Sequence, residues 1–567
     1  MSSGAGIGPR DKIVPLADAV GHVREGDAVH VVTGHTRWTA ASRELVRQWW
    51  GREPGWTLVM LSLSSLGTLF FRGGLVNKVV TGYSGDVFPN FTPNPVFSEA
   101  YLSGAVEVEH WSFLTFLQRL EAAARGLPAL TTRSLAGSSM AENEGFAEVD
   151  TPFGRVGLVE AFAPDVALVH AAVSDREGNL AFHPPLLEGV WGCLAARRGV
   201  IATVEHVVDD IRPWAHLVKV PAHRVLAVAH CPLGAHPGGF YGRFTPAEPY
   251  AEDLAFWSEV RDASRGDRFD DWIDRWVLGP TDHDDYLDRL GAERIETLRA
   301  RSAVDSWRDD EAANPVDETA PANDWERAAV HGARVLADRI VEIGADGVLA
   351  GAGVANLATW YGARLAAERG STCVLTAELG LWGYEPTPAD PYVFNHRAFP
   401  SATMLADSEQ VLGEVIPSPV TTTIACLGAA IVDVEGNIDS TEIPGRAFLV
   451  GSGGGNDVAS AADEVVVMTT LTPRRTVETV PYVTSPGSLV SRLVTDLGVF
   501  AKGPDGRFVL VAVAAGDDTT EARVERVRAA CGWELVVADH VEEMAPVATD
   551  EVVALRRWDP TGVFLRG

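Results

Sequence analysis

Glu378 is the side chain with the clearest chemical potential, because it directly follows a short apolar strand in Val374-Leu-Thr-Ala-Glu378-Leu379-Gly380. In an open α/β sheet the carboxyl end of a strand is where a side chain faces a ligand crevice. A carboxylate at that place can act as a covalent nucleophile. Gly380 would let a substrate and a backbone amide approach it closely. Taken alone, a glutamate after a strand is more commonly a solvated or capping residue, so both interpretations stay open.

A second candidate is the glycine-rich run Gly451-Ser-Gly453-Gly454-Gly455-Asn456-Asp457. Such a run can present backbone amides to an anion, or it can be a plain tight turn. A dinucleotide-binding fingerprint would need its glycines at the first strand–helix turn and an acidic residue about 20 positions later. We therefore consider a backbone-donor role and a tight turn.

Metal chemistry is not indicated. The histidines form no HExxH pattern, and the five cysteines are far apart without a CxxC pair. The sequence predicts reduced, packed thiols and no metal site.

Composition narrows the function further. The chain has 567 residues, which suggests several domains, and a net charge of −30 that disfavours nucleic acid and anionic membrane surfaces as partners. No apolar stretch is long enough for a signal peptide or a membrane-spanning helix. We expect a cytoplasmic protein with no nucleic-acid or membrane partner.

The elements that must position these residues follow an α/β pattern. Apolar runs such as 27–33, 56–62 and 166–172 alternate with amphipathic stretches, which is typical of parallel sheets covered by helices on both faces. The acidic segment 301–324 interrupts this pattern and predicts a linker. We predict two α/β domains, residues 1–300 and 325–567. The shared Glu-Gly-Asn turns at 177–179 and 435–437 suggest duplication of one fold.

Several segments, in matching order, resemble a known family. They are LEAAARGLPALTTRSL (120–135), TPFG (151–154), DVALVHAAVSDREGNL (165–180), LGAHPGGFYG (233–242) and DHDDYLDRL (282–290) in the first half, and ACLGAAIVDVEGNIDST (425–441), GSGGGNDVAS (451–460) and YVTSPG (482–487) in the second. The two halves are similar to the A and B subunits of family I CoA-transferases of the glutaconate type, fused into one chain.

The resemblance implies roles for individual residues. Glu378 takes the place of the family's catalytic glutamate, although the family follows it with Ser or Asn and this chain has Leu379. Ile431 stands where many relatives carry a glutamine. The resemblance also implies oxyanion or CoA-binding positions at Gly353, Gly380, Gly453, Gly454, Gly455 and Asn456, and substrate-binding positions at Gly34, His35, Arg37, Ser84 and His110. Arg37 would hold a distal carboxylate or phosphate.

The implied activity is transfer of CoA from an acyl-CoA to a free carboxylic acid through a glutamyl anhydride and a glutamyl-CoA thioester on Glu378. CoA would be a substrate, and no cofactor is expected. Such folds often pair again into homodimers. Three alternatives stay open: an acyl-CoA hydrolase, including the ring-opening type, a biosynthetic acyltransferase, and a non-catalytic acyl-CoA-binding relative.

Overall fold

The computed structural model describes residues 11–34, 36–242, 244–392 and 396–566. The strands of the first half are β1 (Ala28–Val31), β2 (Trp56–Leu63), β3 (Val76–Ser84), β4 (Glu107–His110), β5 (Ala129–Thr132), β6 (Phe146–Thr151), β7 (Gly154–Glu160), β8 (Val166–Asp175), β9 (Leu180–Ala181), β10 (Gly199–Val208), β11 (Val218–Val220) and β12 (Val225–His230). Its helices are α1 (Leu16–Val20), α2 (Ala40–Trp49), α3 (Thr68–Arg72), α4 (Pro95–Leu102), α5 (Phe113–Ala124), α6 (Trp191–Ala195), α7 (Leu254–Ser264), α8 (Phe269–Ile273), α9 (His283–Leu290), α10 (Ala292–Arg301) and α11 (Trp307–Ala313).

The second half repeats this mixture of strands and helices. Its strands are β13 (Gly347–Ala350), β14 (Val374–Ala377), β15 (Leu381–Trp382), β16 (Met404–Leu405), β17 (Thr423–Gly428), β18 (Ile431–Asp433), β19 (Ile438–Asp439), β20 (Glu442–Ile443), β21 (Ala447–Phe448), β22 (Glu464–Met468), β23 (Thr476–Val477), β24 (Val490–Val494), β25 (Gly498–Lys502), β26 (Phe508–Val513) and β27 (Val536–Glu543). Its helices are α12 (Asp324–Ile343), α13 (Val354–Glu368), α14 (Gly455–Ala461), α15 (Thr520–Ala530) and α16 (Thr549–Trp558).

Each half is built on one large sheet with a parallel centre. In the first sheet the parallel strands run in the order β4-β3-β2-β1-β8-β10-β12, and in the second the order β14-β13-β17-β22-β24 is parallel. Every residue of β8 is buried, as expected for a strand covered on both faces. The predicted fold class, two open α/β domains, is confirmed.

The two halves also share one turn. In the first, Asp175 Oδ1 accepts the amides of Gly178 and Asn179, both at 2.9 Å. In the second, Asp433 Oδ1 accepts the Asn437 amide at 2.9 Å. Gly178 and Gly436 have φ of +97° and +81°, which only glycine adopts readily. The repeated Glu-Gly-Asn motif therefore folds into equivalent turns after β8 and β18.

The acidic segment 301–324 is more structured than the sequence predicted. It contains α11, and Asp310 there pairs with Arg301 at 2.8 Å and with Arg397 at 2.9 Å. The side chain of Asn323 then caps α12 in a reciprocal arrangement with Glu326. The segment thus packs against the second half, although the domain limits placed on either side of it stay a prediction.

The two halves share a hydrophobic core. One cluster of buried side chains combines Leu61, Trp111 and Phe113 of the first half with Leu349 and Leu412 of the second. The sheets therefore meet through packed apolar surface, and the carboxyl ends of the central strands of the second sheet face loops of the first half.

Candidate active site

Glu378 lies on the wall of a cavity of about 450 Å³ between the two halves. It directly follows β14, and the residues after β13 and β17 line the same cavity because these three parallel strands end at one edge of the sheet. The first half contributes Arg37 and Phe113, among others. Strand order thus brings Glu378 to a crevice, as the sequence predicted.

The Glu378 carboxyl group is half-buried, and its pKa is raised to about 7. Burial is the largest cause, and the nearby charge of Asp457 adds to it. The cation of Arg37 and a hydrogen bond from the Gly454 amide lower the pKa. Both the protonated and the ionised carboxyl are therefore populated near neutral pH.

Gly453, Gly454 and Gly455 all line the cavity, but their amides have different partners. The Gly454 amide faces Glu378, and a Cβ placed on Gly454 would overlap Glu378 Oε2. The Gly453 amide donates to Gly82 O at 3.0 Å, and the Gly455 amide donates to Ser452 O at 3.1 Å. Of these three amides, only that of Gly454 is directed at Glu378. The predicted backbone-donor role is therefore compatible with Gly454 and not with Gly453 or Gly455.

Asn456 and Gly380 do not line the cavity, which corrects their predicted roles. Asn456 Oδ1 accepts the Leu135 amide at 2.9 Å, and Asn456 Nδ2 donates to Thr484 O at 2.8 Å. The Gly380 amide donates to Ala377 O at 3.1 Å. With φ of +113° and a Cβ position only 2.5 Å from Ala406 O, Gly380 serves a close backbone contact between the turn that follows β14 and the residue that follows β16.

Gly353 does line the cavity. It precedes α13 with φ of +78°, a value that disfavours other residues. The first amides of a helix have no acceptor within the helix, and Val354 and Ala355, the first two residues of α13, line the cavity. This helix end favours negative charge.

Arg37 is buried, lines the cavity, and donates from Nε to Ser62 Oγ at 3.1 Å. Its charge acts on Glu378 and also on Glu252, whose pKa is raised to about 7 mainly by burial. Arg37 therefore already faces two carboxyl groups of the protein. This environment differs from the predicted one, in which Arg37 holds a carboxylate or phosphate of the ligand.

Beyond Arg37 lies a smaller cavity of about 70 Å³. Gly34 and Glu252 line it, and Leu379 lies between it and the larger cavity, lining both. His35, the other predicted residue of this loop, lies outside the described residues.

Ser84 and His110 are not brought to either cavity, contrary to the predicted substrate contacts. Ser84 Oγ is 2.9 Å from Tyr101 Oη. The His110 ring stacks on Phe448 with centroids 5.2 Å apart, and burial lowers its pKa to about 4. They belong instead to a cluster around Tyr101, at the ends of β3 and β4.

Four residues of the site carried no signal in the sequence. Asp457 is buried beside Glu378 and accepts the Leu114 amide at 3.0 Å. Glu252 faces Arg37, and Trp325 and Arg475 line the larger cavity. Their contacts join segments far apart in the chain. Only Asp457 was part of a recognised motif, the glycine run, although no role was predicted for its carboxylate.

Ile431 lies in β18 and not on the cavity wall, where Gly428, Ala429 and Ala430 stand instead. Among the described residues, no group of three or more His, Cys, Asp and Glu side chains is arranged to hold a metal ion. No helix in the described part of the chain combines the length and the apolar character needed to cross a membrane.

The family model described as Coenzyme A transferase matches residues 16–230. The A subunit of the 3-oxoadipate CoA-transferase of Pseudomonas knackmussii is 29% identical over 294 residues, which cover 49% of this chain and 98% of that protein. The A subunit of the glutaconate CoA-transferase of Acidaminococcus fermentans is 28% identical over 223 residues, which cover 36% and 68%. The segment 16–230 therefore belongs to the coenzyme A transferase family.

The fold of this CoA-transferase extends over both halves. The acyl-CoA transferase YdiF of Escherichia coli O157:H7, in a thioester complex with CoA, superposes with a TM-score of 0.64 and 16% identity, covering 95% of this chain and 96% of YdiF. The family model and the two curated relatives, not the shared fold, indicate that the chain is an enzyme of the transferase class.

Proposed function

We propose that this CoA-transferase moves CoA from an acyl-CoA to a free carboxylic acid, with Glu378 as the covalent nucleophile. The observation that carries the proposal is the position of the Glu378 carboxyl group on the cavity wall, between the Gly454 amide and the charge of Arg37. No other glutamate or aspartate of the described residues lines this cavity.

The first step is attack of the Glu378 carboxylate on the thioester carbonyl. A carbon–oxygen bond forms, the carbon–sulfur bond breaks, and CoA leaves as its thiolate. The thiolate then attacks the glutamyl carbonyl of the anhydride, which releases the donor acid as a carboxylate and leaves CoA bound as a thioester of Glu378. The acceptor acid repeats both steps in reverse, so Glu378 is regenerated and no water or ATP is consumed.

The surroundings of Glu378 suit this sequence. Burial keeps the carboxylate poorly solvated, which makes it a better nucleophile, while Arg37 maintains a usable ionised fraction near neutral pH. Once Glu378 is acylated, the Gly454 amide can donate to the glutamyl carbonyl oxygen. Gly353 and the start of α13 provide further amides for oxyanions that develop in the cavity.

The acids to examine first are suggested by the names of the relatives. Those proteins are named for 3-oxoadipate and glutaconate, which are dicarboxylic acids of six and five carbons. We propose that this chain accepts short-chain acids of the same kind. The acceptor should be established by a screen of mono- and dicarboxylic acids with purified protein.

Trapping with hydroxylamine tests the nucleophile. The protein is mixed with succinyl-CoA, acetyl-CoA or glutaconyl-CoA and then hydroxylamine, and the peptide that contains Glu378 is analysed by mass spectrometry. We expect a hydroxamate at Glu378, none in Glu378→Gln, and an unchanged adduct in Glu385→Gln, since Glu385 is exposed and away from the cavity. Full turnover in Glu378→Gln, or an adduct on a different residue, contradicts the proposal.

Labelled acids distinguish transfer from hydrolysis. A transferase moves CoA to a labelled acceptor acid faster than it releases free CoA. Release of CoA without labelled acyl-CoA would instead support the hydrolase alternative.

A further inference from the structure

Arg475 lines the larger cavity, as Arg37 does. Its guanidinium lies over the ring of Trp325, 5.0 Å from the centroid, and Nη1 is 3.4 Å from Ala429 O. Phe564 borders the same place. Stacking uses the face of a guanidinium and leaves its N–H edge available for a planar anion.

Arg475 has no counter-charge among the described residues. No carboxylate is within ion-pair distance of it, and the pKa of Arg475 is lowered by burial alone. Other partly buried arginines of this chain, such as Arg334 and Arg339, pair with carboxylates. An unpaired and partly buried charge is costly, and an anion of the ligand would compensate it.

The two arginines of the cavity thus differ. Arg37 faces Glu378 and Glu252, whereas Arg475 faces open space bordered by aromatic and small side chains. Arg475 Nη1 lies near the end of β17, and Glu378 lies at the end of β14, two strands away in the sheet. At about 4.8 Å per strand, the ends of β17 and β14 are roughly 10 Å apart.

We propose that Arg475, held over Trp325, binds an oxyanion of the ligand whose reacting carbonyl is at Glu378. The inference rests on the proposed function, which places the thioester at that glutamate. Two parts of the ligand can supply the anion. The distal carboxylate of a five- or six-carbon diacyl group reaches most of that distance, and the longer pantetheine arm can bring a phosphate of CoA to the same place.

Equilibrium binding tests the site without any covalent step. Calorimetry compares CoA with pantetheine, which lacks the phosphates, and glutarate with butyrate, which lacks the second carboxylate. The proteins are the full-length wild type, Arg475→Gln, Arg475→Lys and the matched control Arg474→Gln, because Arg474 is exposed and adjacent in the chain.

We expect Arg475→Gln to weaken either CoA or glutarate by roughly tenfold or more, as the loss of a charge-assisted hydrogen bond does. Weaker CoA binding with unchanged pantetheine identifies a phosphate, and weaker glutarate binding with unchanged butyrate identifies a carboxylate. Arg475→Lys should give a smaller loss of the same ligand, since it keeps the charge without the planar fork. Arg474→Gln should bind all four probes as the wild type does.

Several outcomes overturn the site. The first is that Arg475→Gln binds all four probes with the affinity of the wild type, and the second is that Arg474→Gln loses as much affinity as Arg475→Gln. The third is that Arg475→Gln loses as much affinity for pantetheine as for CoA, or for butyrate as for glutarate. The fourth is that the wild type binds neither CoA nor glutarate. If the melting temperature of Arg475→Gln is well below that of the wild type, the test rests on Arg475→Lys alone. Unchanged affinity of Arg475→Lys for both CoA and glutarate then overturns the site.

The two proposals fail separately. A hydroxamate at Glu378 together with unchanged CoA and glutarate binding in Arg475→Gln overturns the anion site alone. Absence of the hydroxamate overturns the nucleophile and leaves the binding measurements valid.

Discussion

Four features of the Glu378 surroundings act on the pKa of its carboxyl group, two in each direction. Burial and Asp457 favour the protonated form, while Arg37 and the Gly454 amide favour the carboxylate. Since only the carboxylate can attack a thioester, small changes in any of these neighbours alter the fraction of competent enzyme at a given pH.

The pH dependence of catalysis follows from this balance. We expect kcat/KM of the wild type to rise with pH through about 7, as Glu378 ionises. Arg37→Gln removes a charge that lowers the Glu378 pKa, so this limb should move to higher pH. Arg37→Lys, which retains a cation, should move it less. Profiles measured with one acyl-CoA check this, and an unmoved limb in Arg37→Gln would contradict it.

The same ionisation should affect the stability of the fold in the opposite direction: a rise in pH that increases activity should decrease stability. The folded-state pKa lies above the ordinary value of 4.5, so the carboxyl group costs stability progressively as the pH rises from 4.5 to about 7, and fully above that. Glu378→Gln should therefore raise the melting temperature at pH 8, by about 1 to 3 °C, and have little effect at pH 5.

Differential scanning calorimetry of wild type and Glu378→Gln at the two pH values provides the measurement. Glu385→Gln, at an exposed position, serves as the control and should show no such difference. Equal melting temperatures of wild type and Glu378→Gln at pH 8 would argue against a desolvated carboxylate.

At the level of elements, the sequence predicted the position of Glu378 because buried parallel strands appear as continuous apolar runs. The runs 56–62 and 166–172 became β2 and β8, and the carboxylate stands where β14 ends. The same patterns carry no information about which amide has a free N–H. Gly380 contacts Ala406 and Asn456 donates to Thr484, and neither residue lines the cavity. These partners are distant in sequence, and only tertiary packing brings them together.

The start of α14 allows a matched pair of substitutions. A Cβ at Gly454 overlaps Glu378 Oε2, whereas a Cβ at Gly455 has Ser485 Oγ as its nearest atom, at an ordinary 3.4 Å. Neither glycine needs a positive φ, so Ala fits the backbone at both positions. Gly454→Ala should reduce kcat by roughly 100-fold through displacement of the carboxylate, while Gly455→Ala should stay near wild type.

Steady-state kinetics of the two alanine variants, with melting temperatures to show that both fold, tests this. Comparable activity of Gly454→Ala and Gly455→Ala would mean that the Glu378 carboxyl group is not held against this backbone.

At the level of the whole molecule, the halves are joined by more than the acidic segment. The Asp457 carboxylate accepts the Leu114 amide, and the Asn456 side chain accepts the Leu135 amide. Neither contact could be predicted from the sequence, since each depends on how the two sheets dock. The predicted homodimer and cytoplasmic location stay predictions, which light scattering and cell fractionation can check.

The shared core predicts that the chain tolerates a cut between its halves. A protease site inserted after Glu318, in an exposed stretch, should be cleaved without separating the fragments or abolishing transfer. Size-exclusion chromatography of the cut protein should give one peak that contains both fragments, and urea should separate them. Separation under native conditions would show that the covalent connection holds the halves together.

Part of the seam beside the cavity consists of main-chain hydrogen bonds. Gly453 donates to Gly82 O, Phe113 donates to Gly453 O and Ser84 donates to Val450 O, at 2.7 to 3.0 Å. Peptide groups are the same in every amino acid, so these hydrogen bonds depend on a close approach of the two backbones, and a Cβ at Gly82 would lie 2.7 Å from the Phe113 ring. Substitutions elsewhere on the cavity wall can thus alter the choice of acid while the frame around the nucleophile stays in place.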